Sequence, residues 1–344
     1  MTGLPVLIEH VTTEWLSLAL GFSVASFEAQ PVGTGQIGTC YRLTLRGAGQ
    51  PRRVVAKLPA IDPATRELLT GSYLAEVRFY RDLARTVAVR APTCHHVDSA
   101  ANGDFVLLLE DLAPCLPGDQ LVGCSVRQAC DAVVNLAGLH GPRWCDPTLL
   151  EVDGLKVNGP EDAAMMAEFY GPATDIFLDR VGRLLAGEDR ETLRAIPPVI
   201  ERWELSRVDR FALVHGDYRV DNLLFPPGGG DGVLAVDWQT LSLALPARDL
   251  AYFVSTSLEP PVRRAYERDL VAAYHQALGP DVTARFSFAQ CWDDYRFAML
   301  QGPLISVFGL AFGKRSDRGD RMFAVMASRA CAAIRDLGSL DCVS

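Results

Sequence analysis

The chain has 344 residues, 49% hydrophobic and 22% charged, with a formal net charge of −9. That length exceeds most single cores and predicts two lobes, while the acidic balance argues against a nucleic-acid partner, which needs a basic footprint. Nine cysteines at irregular spacing, with no Cys-x-x-Cys, favour reduced thiols in a cytoplasmic protein over a disulfide framework. The first residues carry Glu9 and Glu14 and no early Lys or Arg, unlike a secretory signal. No apolar run approaches the roughly 18 residues that span a bilayer, so no membrane contact is expected.

In chain order, Thr12 or Thr13 can cap a short helix through Trp15, Leu18 and Leu20 that ends at Gly21. Phe27 to Val32 precedes Gly33-Thr34-Gly35-Gln36-Ile37-Gly38, which fits G-x-G-x-x-G. That pattern is weak alone, since a plain glycine-rich hairpin would also match. Its context is informative: a dinucleotide loop should open a helix, but Tyr41-Arg42-Leu43-Thr44-Leu45 alternates like a strand. Strand, glycine loop, strand lets backbone N–H groups approach phosphate oxygens. Lys57 interrupts the apolar strand Val54 to Leu58. Beyond Ser72, Glu76, Tyr80 and Leu83 fall at i, i+4 and i+7, which places Glu76 on a core-facing stripe where an acid needs a partner. We expect a Lys57–Glu76 ion pair.

Cys94-His95-His96 is the one local cluster that suggests a metal, but three adjacent side chains diverge in an extended segment; a turn after Pro92 is expected instead. Phe105 to Leu112 reads as a buried strand ending in Glu110 and Asp111, and Pro114, Pro117 and Gly118 mark a linker. The boundary falls near residue 112, giving lobes 1–112 and 113–344. Ser125-x-x-Gln128 is a capping box for a helix through Ala129, Val133 and Leu136 to His140, whose imidazole should bind a nearby carbonyl. Residues 144 to 205 read as helices and loops, with Asp175, Asp179, Trp203 and Glu204 as candidate pocket walls. Ala298 to Phe312 reads as a buried helix.

The most informative stretch is Leu213-Val214-His215-Gly216-Asp217-Tyr218-Arg219-Val220-Asp221-Asn222-Leu223-Leu224. An apolar strand delivers a polar loop, which turns at Gly216 and holds an acid and an amide five positions apart. Leu234-Ala235-Val236-Asp237-Trp238-Gln239 ends a second strand in another acid. A carboxylate, an amide and a further carboxylate are hard oxygen donors suited to Mg²⁺ shared with phosphates. His-Gly-Asp-x-x-x-x-Asn would arise by chance in about one chain of this length in 500, so the match carries weight.

This order of motifs resembles the aminoglycoside phosphotransferase and choline kinase superfamily, and within it the ecdysteroid-kinase-like members. The resemblance implies an α+β, protein-kinase-like bilobal fold, with an antiparallel-sheet N-terminal lobe and a mostly helical C-terminal lobe. It implies ATP and Mg²⁺ as cofactors and a small-molecule hydroxyl as phosphoryl acceptor. Gly33, Gly35 and Gly38 would cover the phosphates, Lys57 held by Glu76 would grip them, and backbone groups around Glu110 and Leu112 would pair with adenine. Asp217 would orient the acceptor and take its proton, Arg219 would stabilise charge, and Asn222 and Asp237 would hold the metal. His215 would brace the loop, Asp249 would brace it through backbone hydrogen bonds, and Asp221 reads as a solvated loop acid. Trp292-Asp293-Asp294-Tyr295-Arg296 could line the acceptor pocket. There is no His-Arg-Asp, Asp-Phe-Gly or Ala-Pro-Glu, so no protein substrate is expected. The alternative is a catalytically inactive nucleotide-binding pseudokinase scaffold, which would usually lack one of Lys57, Asp217, Asn222 or Asp237. A hydrolase would need a nucleophile elbow, and no Gly-x-Ser-x-Gly occurs.

Overall fold

The described residues form a five-stranded sheet and two smaller ones, and most of the remaining chain is helical. The computed structural model describes residues 4–33, 38–49, 51–100, 102–229 and 232–343. Two compact units result. One comprises Met1–Thr86, Ala91–Cys115 and Val236–Leu241; the other comprises Val87–Arg90, Leu116–Ala235 and Ser242–Ser344. Sequence order divides the chain once, near residue 112, whereas in the fold the short segment carrying Asp237 belongs with the first unit.

The first unit opens with helix α1 (Thr13–Leu20), capped by the Thr12 hydroxyl and closed by Gly21 at φ 74°. Strands β1 (Val24–Pro31), β2 (Gly38–Gly47) and β3 (Arg53–Pro59) follow, then α2 (Pro63–Leu68) and α3 (Thr70–Arg78), then β4 (Cys94–Ser99) and β5 (Phe105–Glu110). All pairs are antiparallel, in the order β1-β2-β3-β5-β4. Because side chains alternate across a strand, Val54, Ala56 and Leu58 face Trp15 and Leu16 in one core while Lys57 points to the opposite face. Directly opposite Lys57 stand Cys40 on β2 and Leu107 on β5. Leu18 is 77% exposed, and Trp15 and Leu16 anchor that helix. Cys94-His95-His96 is strand rather than turn, and His96 meets the edge of Trp15 at 5.4 Å. No group of three His, Cys, Asp or Glu that could hold a metal occurs among the described residues.

The second unit holds strands β6 (Leu116–Pro117), β7 (Ala212–Val214), β8 (Leu223–Phe225), β9 (Leu234–Ala235) and β10 (Ser242–Ala244), paired as β6-β8-β9 and β7-β10. Its helices are α4 (Val126–His140), α5 (Pro160–Val181), α6 (Gly187–Ala195), α7 (Ile200–Leu205), α8 (Ala247–Ser257), α9 (Pro260–Ala277), α10 (Pro280–Thr283), α11 (Phe288–Phe297), α12 (Gln301–Phe312) and α13 (Asp317–Leu337). The capping box at Ser125 and Gln128 forms as expected. Gln301-Gly302-Pro303 opens α12, where proline in the first turn costs no hydrogen bond. All eleven residues of α8 are buried, which makes it the central helix of this unit. No helix among the described residues is long and apolar enough to cross a membrane.

Several residues read as pocket walls are packing residues. Trp203 is fully buried and donates its indole N–H to the Phe297 carbonyl at 2.9 Å. Glu204 pairs with Arg248 at 2.8 Å, and Asp175 and Asp179 lie exposed on α5. Asp294 is buried and pairs with Arg207 at 2.5 Å and Arg210 at 2.8 Å, so it ties α11 to the chain entering β7. Removing one partner of such a cluster strands the others, with the loss reduced because both arginines are partly exposed. Asp294→Ala is therefore expected to lower unfolding free energy by roughly 2–3 kcal/mol, read as an earlier midpoint in urea with an unchanged slope.

Candidate active site

In the first unit, Lys57 leaves the core strand β3 on the face that α3 covers. Its Nζ lies 2.6 Å from Glu76 Oε2 and 3.1 Å from Asp237 Oδ1. The expected Lys57–Glu76 pair forms, with Asp237 as a second carboxylate. Glu76 also accepts the backbone N–H of Trp238, which ties α3 to the 236–241 segment. Burial opposes the Lys57 charge, but Asp237 and Glu76 outweigh it and hold its pKa above the ordinary lysine value. Burial pushes the Glu76 carboxyl upward against the pull of Lys57. The helix does not continue regularly past Glu76. It ends at Arg78 and passes into a π-helical turn, Phe79–Leu83. That turn sets Phe79 flat against Trp238, with ring centroids 3.5 Å apart and planes 8° from parallel.

Asp237 has φ 73°, a left-handed conformation that non-glycine residues rarely adopt, though Asp is among the more tolerant. Its side chain is 39% exposed, so one carboxylate holds Lys57 and still faces outward. Gly33 has φ 74°, and a Cβ at Gly38 would stand 2.7 Å from the Leu58 carbonyl oxygen. Both positions require glycine, one for its backbone angle and the other for close approach. Gly35 lies outside the described residues. Glu110 ends β5; its N–H donates to the Thr93 carbonyl and its carboxylate accepts the Thr93 N–H. The Leu112 carbonyl accepts from Cys115 N–H at 2.8 Å. Asp111 beside them is bidentate with Arg42 at 3.0 and 3.1 Å and anchors the strand end.

In the second unit, the loop between β7 and β8 is held from several sides. Gly216 turns it at φ 79°. Asp249, buried at the start of α8, accepts His215 N–H at 2.6 Å and Gly216 N–H at 2.9 Å. This is the backbone brace that the family resemblance implied. His215 is fully buried and its Nδ1 accepts Asp217 N–H at 3.3 Å, so it supports the loop from within. Tyr218 reaches α4 and donates to the Ala132 carbonyl at 2.8 Å.

Asp217 is 25% exposed, and its carboxylate accepts three donors: Asn222 Nδ2 at 2.9 Å, Arg219 Nε at 3.1 Å and Tyr252 hydroxyl at 2.8 Å. Asn222 Nδ2 also donates to the Asp217 carbonyl. With its amide nitrogen so engaged, Asn222 keeps Oδ1 as its side-chain acceptor. That oxygen and the Asp237 carboxylate are hard donors of the kind Mg²⁺ takes.

Three expectations are corrected here. His140 binds side chains, not a carbonyl. Its Nε2 lies 3.4 Å from Asp249 and its Nδ1 lies 2.8 Å from the Tyr274 hydroxyl. A carboxylate only accepts, so the Nε2 contact is one in which the imidazole N–H donates to Asp249. Asp221 is not a solvated loop acid: it accepts Gln120 N–H at 2.7 Å and pairs with Arg318 at 3.2 Å. Trp292 to Arg296 does not read as a pocket lining either, because Asp294 and Tyr295 are buried and paired with Arg207, Arg210 and Glu267. Sequence reasoning missed Tyr252 and Gln120. Gln120 is fully buried, and its Oε1 accepts Val220 N–H at 2.9 Å. About 100 residues separate it from the loop, so no local pattern announces it. Tyr252 lies three residues past Asp249 on the same helix face, but its partner is 35 residues away, so nothing local announces that contact either.

A five-stranded antiparallel unit, a helical unit and these polar clusters describe a protein-kinase-like phosphotransferase. The profile of the phosphotransferase enzyme family (APH) matches residues 28–286, and the chain belongs to that family. Among solved structures, a choline kinase from Cryptosporidium parvum is similar at TM-score 0.58 and 10% identity, over 92% of this chain and 91% of that one. A microcompartment-associated aminopropanol kinase is similar at TM-score 0.56 and 16% identity, over 94% and 97%. The GDP complex of an aminoglycoside 2′-phosphotransferase is similar at TM-score 0.54 and 14% identity, over 90% and 93%. These likenesses show the shared fold. A mouse protein, acyl-CoA dehydrogenase family member 10, is 41% identical over 61 residues, which is 16% of this chain and 6% of that protein.

Asp249→Ala would leave two loop N–H groups without their acceptor. A loss of roughly 2–4 kcal/mol in unfolding free energy is expected, with Asn at the same position intermediate, measured by urea denaturation.

Proposed function

We propose that this protein is an ATP- and Mg²⁺-dependent kinase that transfers the γ-phosphate to a hydroxyl of a small molecule. The observation that carries this reading is Asp217: a partly exposed carboxylate, oriented by three donors, on a loop clamped through its backbone by Asp249. Membership of the phosphotransferase family supports the reaction class.

In this reading Asp217 accepts the hydrogen bond of the acceptor hydroxyl, orients its oxygen and takes its proton. The new bond joins that oxygen to the γ-phosphorus, the bond to the β-phosphate oxygen breaks, and ADP leaves. Lys57, kept charged by its two carboxylates, grips the nucleotide phosphates, and Glu76 fixes the reach of its chain. Gly33, Gly35 and Gly38 let backbone approach the phosphates, and backbone near Glu110 and Leu112 receives the base. Arg219 holds Asp217 in place and contributes positive charge. Asn222 and Asp237 are the residues assigned to Mg²⁺, which when bound neutralises charge on the transferring group. Domain roles follow: 1–112 for the nucleotide and 113–344 for catalysis and acceptor, with Asp237 contributed by the later part of the chain.

The acceptor panel should begin with amino alcohols. The formal charge of −9 suits a cationic acceptor, and two structurally similar proteins are a choline kinase and an aminopropanol kinase. Nine free cysteines suit a reducing, cytoplasmic setting, and no nucleic acid, membrane or protein substrate is expected. A coupled ADP-release screen with Mg·ATP across amino alcohols, aminoglycosides, macrolides, sterols and sugars tests the proposal. Turnover is expected on one class, with Asp217→Ala reducing kcat by at least about a hundredfold while ATP binding survives. Asp237→Ala should abolish Mg²⁺-dependent nucleotide binding, read by calorimetry with and without the metal. Tight Mg·ATP binding with no turnover on any acceptor would favour a pseudokinase scaffold.

A further inference from the structure

A carboxylate has two oxygens and about four lone-pair positions. At Asp217, Oδ2 receives two donors, Asn222 Nδ2 at 2.9 Å and Arg219 Nε at 3.1 Å. Oδ1 receives one, the Tyr252 hydroxyl at 2.8 Å. Oδ2 is therefore filled, and one of its donors is a full cation. Oδ1 keeps one open position and is held by a neutral donor. We propose that Tyr252 is a positioning residue for phosphoryl transfer: it fixes the rotation of the Asp217 carboxylate so that the open lone pair of Oδ1 receives the acceptor hydroxyl and its proton. This rests on the assignment of Asp217 as the base.

Three features fit Tyr252 for the task. It is fully buried in α8, against Met322 and Met326, so its ring has little freedom. It lies one turn after Asp249, which grips the backbone of the same loop; one helix face thus sets both the loop and the orientation of its carboxylate. Its phenol can only donate to Asp217, since burial and the neighbouring Asp217 charge keep it protonated well above the usual tyrosine range. The charged groups facing this pair are Arg219 and Asp221 from the loop, with Arg318 of α13 neutralising Asp221. The residue that α13 itself brings to Arg219 is the neutral Met322.

The test is steady-state kinetics of Tyr252→Phe with an acceptor from the screen. The kcat should fall about tenfold and the KM for ATP stay unchanged. A folded Tyr252→Phe with unchanged kcat overturns the proposal, and so does a loss that appears only as a raised KM for ATP. If that variant does not fold, 3-fluorotyrosine at position 252 keeps ring and hydroxyl and should keep kcat within about twofold; a tenfold loss there also overturns it. Turnover that survives in Asp217→Asn refutes the base assignment itself. Loss of turnover in Asp217→Asn with unchanged kcat in Tyr252→Phe refutes the role of Tyr252 alone.

Discussion

The buried Asp249 carboxylate is the constraint on which the helical unit's chemistry depends. A charge in a protein interior persists only where donors surround it, and Asp249 has His215 N–H, Gly216 N–H and the His140 imidazole. Those donors are also what fixes the loop. Strand β7 delivers the chain, Gly216 reverses it, and Asp249 holds both N–H groups of the turn. Asp217 then projects from a backbone that cannot drift, and Tyr252, Asn222 and Arg219 settle its carboxylate. Each of these contacts would be weak in water. Together, on a helix with all eleven residues buried, they pre-organise one carboxylate.

The sheet unit solves a different problem. A lysine must reach out of a core strand and remain charged. Glu76 from α3 and Asp237 from the 236–241 segment supply the opposing charge. Their support comes from packing as well as electrostatics: the π-helical turn after Arg78 sets Phe79 flat on Trp238, and Trp238 N–H returns to Glu76. The left-handed backbone of Asp237 is a local strain held by that packing.

Much of both clusters was legible in the residues. The Lys57–Glu76 pair followed from a lysine in an apolar strand and an acid on an apolar stripe, because neither is stable buried alone. The brace from Asp249 and the supporting part of His215 followed from the motif. Other residues were misread where local pattern and tertiary partner disagree. Asp221 looks solvated until Gln120 and Arg318 meet it, His140 looks like a helix end until Tyr274 arrives, and Asp294 looks like a pocket acid until Arg207 and Arg210 enclose it.

The sequence by itself determined the elements and the chemical inventory: strand and helix periods, the glycines that turn loops, and the acids, amide and lysine of the two polar clusters. These are local properties, set by side-chain spacing and backbone freedom within a few residues. Only the tertiary structure decided which groups meet. It gave Asp237 to the sheet unit, filled Oδ2 of Asp217 while leaving Oδ1 a single donor, and placed Tyr252 and Gln120 at the loop. The physical reason is range. A hydrogen bond between residues 35 or 100 positions apart leaves no trace in local periodicity; it exists only when packing has brought its two ends together.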